Sequence, residues 1–173
     1  MFVVETAIVL VHPPHVVARA VARLDRLPRW CAGLQRLRDT GPGDAAAGAG
    51  GVEGGCAFRY VAADLRLTLR AHTVAAASSR PPGHVVEHRA AGDGLHLAWA
   101  LDVEPEPGGG RRTRLHVRTR LAVDPAHPVA AVRAALCRLV ARRAPSDLER
   151  LRTLLDRRAA AVRARTSAPL PMS

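Results

Sequence analysis

Residues 112–121, RTRLHVRTRL, alternate without a break between basic side chains and apolar or small ones. Because successive side chains of a β-strand point to opposite faces, all the basic residues share one face: Arg112, Arg114, His116, Arg118 and Arg120. The other face carries Thr113, Leu115, Val117, Thr119 and Leu121. Burying unpaired guanidinium groups would cost far more than the about 2 kcal/mol that each buried Leu or Val contributes. The stretch therefore predicts a strand with a wet basic face and a dry face turned to a core or an apolar cavity.

Two further stretches repeat this alternation. Residues 64–73 place Leu65, Leu67, Leu69, Ala71 and Thr73 opposite Asp64, Arg66, Thr68, Arg70 and His72. Residues 95–103 place Leu95, Leu97, Trp99, Leu101 and Val103 opposite His96, Ala98, Ala100 and Asp102. We expect these strands to share one antiparallel sheet, polar outside and apolar inside.

The composition bounds the kind of protein. A chain of 173 residues with 48% hydrophobic content is expected to form one domain over residues 1–163, large enough for a core or a pocket. The net charge is +11, but the chain has no Lys, no Asn and a single Ile, which indicates a GC-rich coding sequence behind the excess of Arg. With scattered arginines and 3% aromatic residues, nucleic-acid binding is not favoured. Weak association with an anionic membrane or an acidic protein is a hypothesis for Arg66, Arg70, Arg114 and Arg118.

Three cysteines bear on the compartment. Cys31, Cys56 and Cys137 are far apart and form no CxxC pair, so they are interpreted as reduced thiols in a cytoplasm. The apolar run over residues 3–11 is interrupted by Glu5 and is too short to span a bilayer, so it is interpreted as a first strand. Both faces of that strand are apolar, which leaves open whether Glu5 points inward or outward.

The first third of the chain predicts a strand over residues 2–11, stopped by His12-Pro13-Pro14, since proline cannot donate to a ladder. A helix follows and is expected to end near Leu27, before Pro28, with a second helical turn at residues 29–31. Its apolar stripe is Val16, Val17, Ala20, Val21 and Leu24. A brief strand over residues 34–40 and a flexible Gly/Ala loop over residues 41–55 come next.

The remainder predicts a meander and then helix. Strands are expected over residues 56–61, 65–75, 84–90, 95–103 and 113–123, with turns at residues 81–83, 92–94 and 107–110. Residues 128–163 carry a helical apolar stripe that Pro145 should interrupt. Ser146 and Glu149 have the spacing of a capping box, which predicts a fresh helix from Asp147. Residues 164–173 are expected to be a disordered tail.

This order of elements resembles the START-like superfamily, which includes polyketide cyclases/dehydrases and lipid-transfer domains. The resemblance rests on residues 5–9 leading to 13–17, then 27–30, 55–58 and 147–151, and it covers most of residues 2–160. It implies the α+β helix-grip fold: a curved antiparallel β-sheet around a long C-terminal helix, with two short helices after strand 1. It also implies an apolar cavity between sheet and helix.

The ligand-pocket residues expected from that resemblance and from the inward faces combine aromatic positions and one histidine with aliphatic positions. They are Trp30, Phe58, Tyr60, Leu67, Leu69, His88, Leu97, Trp99, Leu115, Val117, Leu136 and Val140. Trp30 is alternatively a core plug between helix and sheet, and Trp99 is core or pocket wall.

Two residues are candidates for proton transfer, although the catalytic residues stay unknown. His88 could act as acid or base if its face is inward, and Tyr60 could offer a hydroxyl to a ligand carbonyl. A satisfied buried tyrosine is the alternative for Tyr60. His12 and His15 lack further ligands in any known spacing, so neither a metal nor a cofactor is expected.

Three functions follow as hypotheses. The first is binding or transport of a small hydrophobic ligand such as a lipid, quinone or polyketide-like molecule. The second is an aromatic polyketide cyclase/dehydratase that moves protons beside carbonyls, with His88 or Tyr60 acting. The third is an interaction protein that uses the basic sheet face. A polar group deep in an apolar pocket would favour the second over the first.

Overall fold

The computed structural model describes residues 1–37, 56–62, 65–75, 83–108 and 111–166. The strands are β1 (Phe2–Leu10), β2 (Leu34–Arg36), β3 (Cys56–Ala62), β4 (Leu65–Ala75), β5 (His84–Gly92), β6 (Leu95–Pro105) and β7 (Thr113–Val123). The helices are α1 (Pro14–Val21), α2 (Leu27–Trp30) and α3 (Arg133–Thr166), with 3-10 turns at Leu24–Arg26 and Pro128–Val132.

All seven strands form one antiparallel sheet in the order β1-β7-β6-β5-β4-β3-β2. Strands β2 to β7 are neighbours in sequence order, which is the predicted meander, and β1 is added beside β7. The two-residue hairpin at Asp93 and Gly94 is confirmed, because both have positive φ, 45° and 69°, as this tight turn requires. The sheet curls around α3, so the predicted helix-grip fold is confirmed.

The alternation predicted for the three long strands is confirmed by burial. On β7 every inward residue from Thr113 to Leu121 is buried, while His116, Arg118 and Arg120 are exposed. The inner face of β6 is buried in the same way, and on β4 Leu67, Leu69 and Ala71 are buried. On α3 the buried residues form one stripe. That stripe is Leu136, Val140, Leu148, Leu151 and Leu155.

The prediction of one helix ending before Pro28 is wrong. α1 ends at Val21, and Pro28 lies in the first turn of α2. The first backbone N–H groups of a helix have no partner inside it, so a proline loses nothing there and can open a helix. Val16, which the stripe included, is 37% exposed.

The prediction of a break at Pro145 is also wrong, because α3 continues through it. Pro145 and Ala141 are exposed, so water can reach the carbonyl that the missing N–H leaves without a partner. Ser146 forms no capping box; its hydroxyl donates to the Arg143 carbonyl at 2.8 Å. The helix continues to Thr166, so residues 164–166 are helical and not part of a tail.

Several predictions lie outside the described residues: the loop at 41–55, the turn at 81–82 and the tail from 167. Strand β2 is described over Leu34–Arg36, the start of the strand predicted for residues 34–40. Within the described part of the chain, no helix is both long enough and apolar enough to cross a membrane.

Candidate functional site

A small cavity lies between the inner face of the sheet, α2 and α3. Its apolar wall includes Trp30, Leu34, Leu97, Trp99, Val117, Val140 and Leu148, and its polar wall includes Thr6, Cys31, Tyr60, Thr119, Arg143 and Asp147. The space open to the centre of a water molecule is about 40 Å³, enough for about three waters. The cavity lining therefore combines apolar and polar side chains, and α3 contributes Arg143 and Asp147 to the polar ones.

Two α3 residues, one turn apart, join the helix to the turn that follows α2. The Asp147 carboxylate accepts a hydrogen bond from the Ala32 backbone N–H at 2.8 Å. Arg143 Nη1 donates to the Val61 carbonyl at 3.0 Å and to the Ala32 carbonyl at 3.4 Å. Residues four apart lie on one helix face, so this pair forms a single polar clamp on residues 31–33 at the cavity wall.

Burial at this wall raises the pKa of Asp147 to about 6, from an ordinary value of 3.8. The Ala32 N–H and the charges of Arg150 and Arg143 oppose the shift. A carboxyl with a pKa near 6 can hold or release a proton at neutral pH. Asp147 is therefore suited to acid–base work or to binding a ligand hydroxyl.

The neighbouring Tyr60 and Cys31 are protonated at neutral pH. Burial raises the pKa of Tyr60, while the Arg143 guanidinium opposes that change. Burial also raises the pKa of Cys31 well above its ordinary value, with Asp147 adding to the effect. Because the thiolate is the nucleophile, Cys31 is an inert wall residue, and Tyr60 offers a hydroxyl donor.

Trp30 brings an unused donor to the same wall. The side chain is 3% exposed, and its indole Nε1 is buried and has no hydrogen-bond partner among the described residues. An orphan buried donor is destabilising unless water or a ligand supplies an acceptor. Trp30 is thus the cavity residue whose hydrogen-bond donor most clearly lacks an acceptor.

Six of the twelve predicted pocket residues surround this cavity: Trp30, Tyr60, Leu97, Trp99, Val117 and Val140. The other six are buried but do not line it: Phe58, Leu67, Leu69, His88, Leu115 and Leu136. The alternating pattern predicts both groups equally well. It shows which face of a strand is buried, but it does not show where a cavity remains inside the core.

His88 faces inward, which is one of the two orientations left open by the sequence. Both of its ring nitrogens already have hydrogen-bond partners. Its Nε2 contacts the Val21 carbonyl at 2.7 Å, and its Nδ1 contacts the Thr73 hydroxyl at 2.9 Å. A carbonyl can only accept, so Nε2 carries the proton and Nδ1 accepts from Thr73. Burial lowers the pKa of His88, against the opposing bond to Val21. The neutral ring satisfies a carbonyl at the end of α1.

Sequence reasoning misses Asp147 and Arg143 as cavity residues. Its pattern makes Asp147 a helix start, and Arg143 has no distinguishing pattern among many arginines. The open question about Glu5 is settled, since its carboxylate is outside the sheet and accepts from Arg118 Nε at 2.6 Å. Arg143 and Asp147 are four residues apart, which places both on one face of α3. This spacing is the sequence signal from which the clamp could have been predicted.

The comparisons with known proteins agree with this geometry. The family model described as polyketide cyclase / dehydrase and lipid transport matches residues 1–156. The chain belongs to this family. Among curated proteins, no relative matches.

Solved structures share the fold of this polyketide cyclase/dehydrase and lipid transport family member at low identity. TTHA0849 from Thermus thermophilus has a TM-score of 0.64 and 16% identity, covering 88% of this chain and 96% of that one. The Zhui aromatase/cyclase from Streptomyces sp. R1128 has a TM-score of 0.62 and 14% identity, covering 91% and 94%. A START superfamily protein from Mycobacterium smegmatis has a TM-score of 0.54 and 14% identity, covering 94% and 99%. At these identities the likeness concerns the fold alone.

Glutamates of the same chain neutralise part of the positive charge on the basic outer face of this family member. Besides the pair of Arg118 with Glu5, Arg114 Nη2 lies 2.8 Å from Glu106 Oε1 and Arg89 Nε lies 2.6 Å from Glu87 Oε1. The pair of Arg118 with Glu5 is exposed, and an exposed pair is worth about 0–1 kcal/mol and weakens with salt. Association of this face with an anionic partner stays a prediction.

We expect Gly33→Ala to lower the free energy of unfolding by about 2–4 kcal/mol. Gly33 has a φ of +89°, and an added Cβ would lie 2.1 Å from Arg143 Nη1 and 2.8 Å from the Val61 carbonyl oxygen. Gly108 is a matched control, with a φ of +105° but nothing within 4 Å. Urea unfolding of both alanine variants separates backbone strain from the clash. Equal losses would show that the close approach at Gly33 is unimportant.

Proposed function

We propose that this chain binds a small hydrophobic molecule in the cavity between the sheet and α3. Family membership makes ligand binding the expected function, and the wall around Leu97, Val117 and Val140 is apolar. The observation that carries the proposal is the buried Nε1 of Trp30, a residue that lines the cavity, since this donor has no hydrogen-bond partner in the described part of the chain. Apolar burial would supply the affinity, and the polar groups would fix the ligand's orientation.

The polar groups favour a neutral ligand with an oxygen acceptor. Trp30 can only donate, so it needs a carbonyl, ether or hydroxyl oxygen. Asp147, ionised above its pKa of about 6, disfavours an anionic head group beside it. Arg143 likewise disfavours a cation. Of the hydrophobic ligands considered, a quinone or polyketide-like carbonyl compound matches this set better than a free fatty acid.

The cavity must widen before such a ligand can enter. Sites for drug-sized molecules have volumes of about 300–1,000 Å³. In this cavity the volume open to the centre of a water molecule is about 40 Å³. The clamp of Arg143 and Asp147 attaches the turn at residues 31–33 to α3 by two hydrogen bonds, and Arg143 also donates to the Val61 carbonyl on β3. We expect the wall to open at this turn.

The test uses menadione, a neutral bicyclic quinone, and intrinsic fluorescence. Trp30 and Trp99 are the chain's two tryptophans, and both line the cavity, so a bound quinone should quench emission saturably. Trp30→Phe keeps the aromatic surface and Trp99 as reporter but removes the N–H. Loss of one hydrogen bond should weaken menadione binding about two- to tenfold.

The matched control is 2-methylnaphthalene, which has similar apolar surface and no carbonyl. It should compete with menadione equally well in the wild type and in Trp30→Phe, because it never used the donor. Quenching that does not saturate, together with no small molecule in native mass spectrometry of the purified protein, would refute ligand binding at this cavity. Equal menadione affinities would refute the role of Trp30 alone.

A second candidate function is the cyclase/dehydratase chemistry, and the side chains of Asp147 and Tyr60, which both line the cavity, favour it. The Asp147 carboxylate would take a proton from a carbon beside a ketone, and the Tyr60 hydroxyl would donate to the enolate oxygen. The enolate carbon would attack a second carbonyl, forming the carbon–carbon bond. The new alkoxide would recover the proton from Asp147, which leaves a closed ring that carries a hydroxyl group. Loss of that hydroxyl together with a hydrogen of the neighbouring carbon, as water, would then form a C=C double bond in the ring.

A further inference from the structure

β1 is an edge strand, and on one side it pairs with no strand of the described residues. It lies at the end of the sheet order, and within the described residues β7 is its sole partner strand. Its register with β7 runs from Phe2 to Leu10 without a bulge. The strand contains no proline and no basic residue, and Glu5 is its single charged residue, so it has few of the devices that stop an edge from pairing with another chain.

Both faces of β1 are incompletely covered. On the outer face Val3 is 41% exposed and Val9 is 37% exposed, with Met1 and Val11 more exposed at the two ends. On the inner face every residue from Phe2 to Ile8 is half-buried, whereas the inner residues of β7 beside them are buried. One more strand on the free side would cover more of the apolar surface of these side chains.

The sequence of β1 is symmetric in character about Thr6. Counting outward from Thr6, the residues that correspond are Glu5 with Ala7, Val4 with Ile8, Val3 with Val9 and Phe2 with Leu10. We propose that the free edge of β1 pairs antiparallel with β1 of a second copy of this chain, Thr6 facing Thr6. Apart from the central threonines and Glu5 with Ala7, every cross-strand pair is then apolar against apolar, which is the pairing that stabilises sheets.

The charges allow this pairing. Each Glu5 faces Ala7 of the other copy, not a second carboxylate, and is already paired with Arg118 of its own chain at 2.6 Å. A second copy fits better than an unrelated strand because the pattern is its own complement. Each copy carries a net charge of +11, so repulsion opposes association and added salt should strengthen it. Binding of the basic face to an anionic partner would respond to salt in the opposite way.

Sedimentation equilibrium of the full chain over a range of protein and salt concentrations tests the proposal. We expect a dimer that tightens with salt. Val3→Lys and Val9→Lys change residues that are already exposed, and each places two lysines at the twofold interface, so the dissociation constant should rise at least about tenfold. Ala91→Lys, on the exposed outer face of β5, is the matched control and should leave it unchanged. A chain that stays monomeric, or a dimer unaffected by either β1 lysine, would overturn the proposal.

A cysteine pair tests the register, with the wild type as background for its three native thiols. Thr6→Cys would place two thiols opposite each other, within reach of a disulfide. Val4→Cys faces Ile8, and its two thiols would be about 13 Å apart along the strands. Mild oxidation should cross-link Thr6→Cys alone beyond the wild-type level. Cross-linking of Val4→Cys without Thr6→Cys would overturn the stated pairing.

Discussion

His88→Ala is expected to lower the free energy of unfolding by about 3–5 kcal/mol. The ring is fully buried between β5 and the end of α1. Its removal leaves a cavity and takes away the donor at 2.7 Å from the Val21 carbonyl and the acceptor at 2.9 Å from Thr73. Urea unfolding at neutral pH measures the loss.

His84→Ala is the matched control, since His84 lies on the same strand and is exposed. Its effect should stay within about 0.5 kcal/mol. Saturable menadione quenching should survive in His88→Ala wherever the variant is folded, because His88 does not line the cavity. If His88→Ala keeps its stability but loses menadione binding, His88 would instead belong to the ligand-binding site.

The pKa of His88 gives this prediction a pH dependence. Because the folded-state pKa lies below the ordinary value of 6.5, the unfolded chain binds more protons in the window beneath it. The contribution of His88 is therefore complete above about pH 6.5 and declines as pH falls toward the depressed pKa. The stability difference between wild type and His88→Ala should shrink over that window.

The fold was more predictable than the site, for a physical reason. Alternation along β4, β6 and β7 reports burial directly, so Leu67, Trp99 and Leu115 were placed correctly on the inner face. Whether an inward side chain meets a cavity or another side chain depends on packing across the sheet and helix. Leu115 and Val117 have the same pattern, yet only Val117 lines the cavity.

Proline and capping signals failed where tertiary contacts override local preference. Pro145 predicts a helix break, but α3 is held on both sides of it by buried leucines and by the clamp to residues 31–33. The same contacts turn Asp147 from an expected helix start into a cavity wall residue. Partners 115 positions apart, such as Asp147 and Ala32, leave no mark in a local pattern.

Asp147→Asn is expected to separate stability from activity. The asparagine oxygen can still accept from the Ala32 N–H, while the group loses its charge. In the wild type the folded-state pKa of about 6 lies above 3.8, so the folded chain binds more protons between those values. Stability therefore falls as pH rises through that window and stays lower above it. Asp147→Asn removes this loss.

The variant should be more stable than the wild type by about 1 kcal/mol at pH 8, after allowance for solvent screening, and equal to it near pH 4. Chemical unfolding at both values measures the change. Glu149→Gln is the control, an exposed carboxylate two residues away on α3 whose removal should change little at either pH. A loss of stability at pH 8 would mean that the Ala32 bond needs the charge.

If the cyclase/dehydratase proposal holds, Asp147→Asn should lower the catalytic activity although it raises the stability. Exchange of the methyl protons of acetophenone in D2O, followed by NMR, reports proton removal beside a carbonyl without needing the natural substrate. If Asp147 is the base, Asp147→Asn should slow the protein-dependent exchange by about 10²–10⁴-fold, and Glu149→Gln should not slow it. Exchange that is equally slow in wild type and variant would leave Asp147 as a ligand-orienting group and favour binding over catalysis.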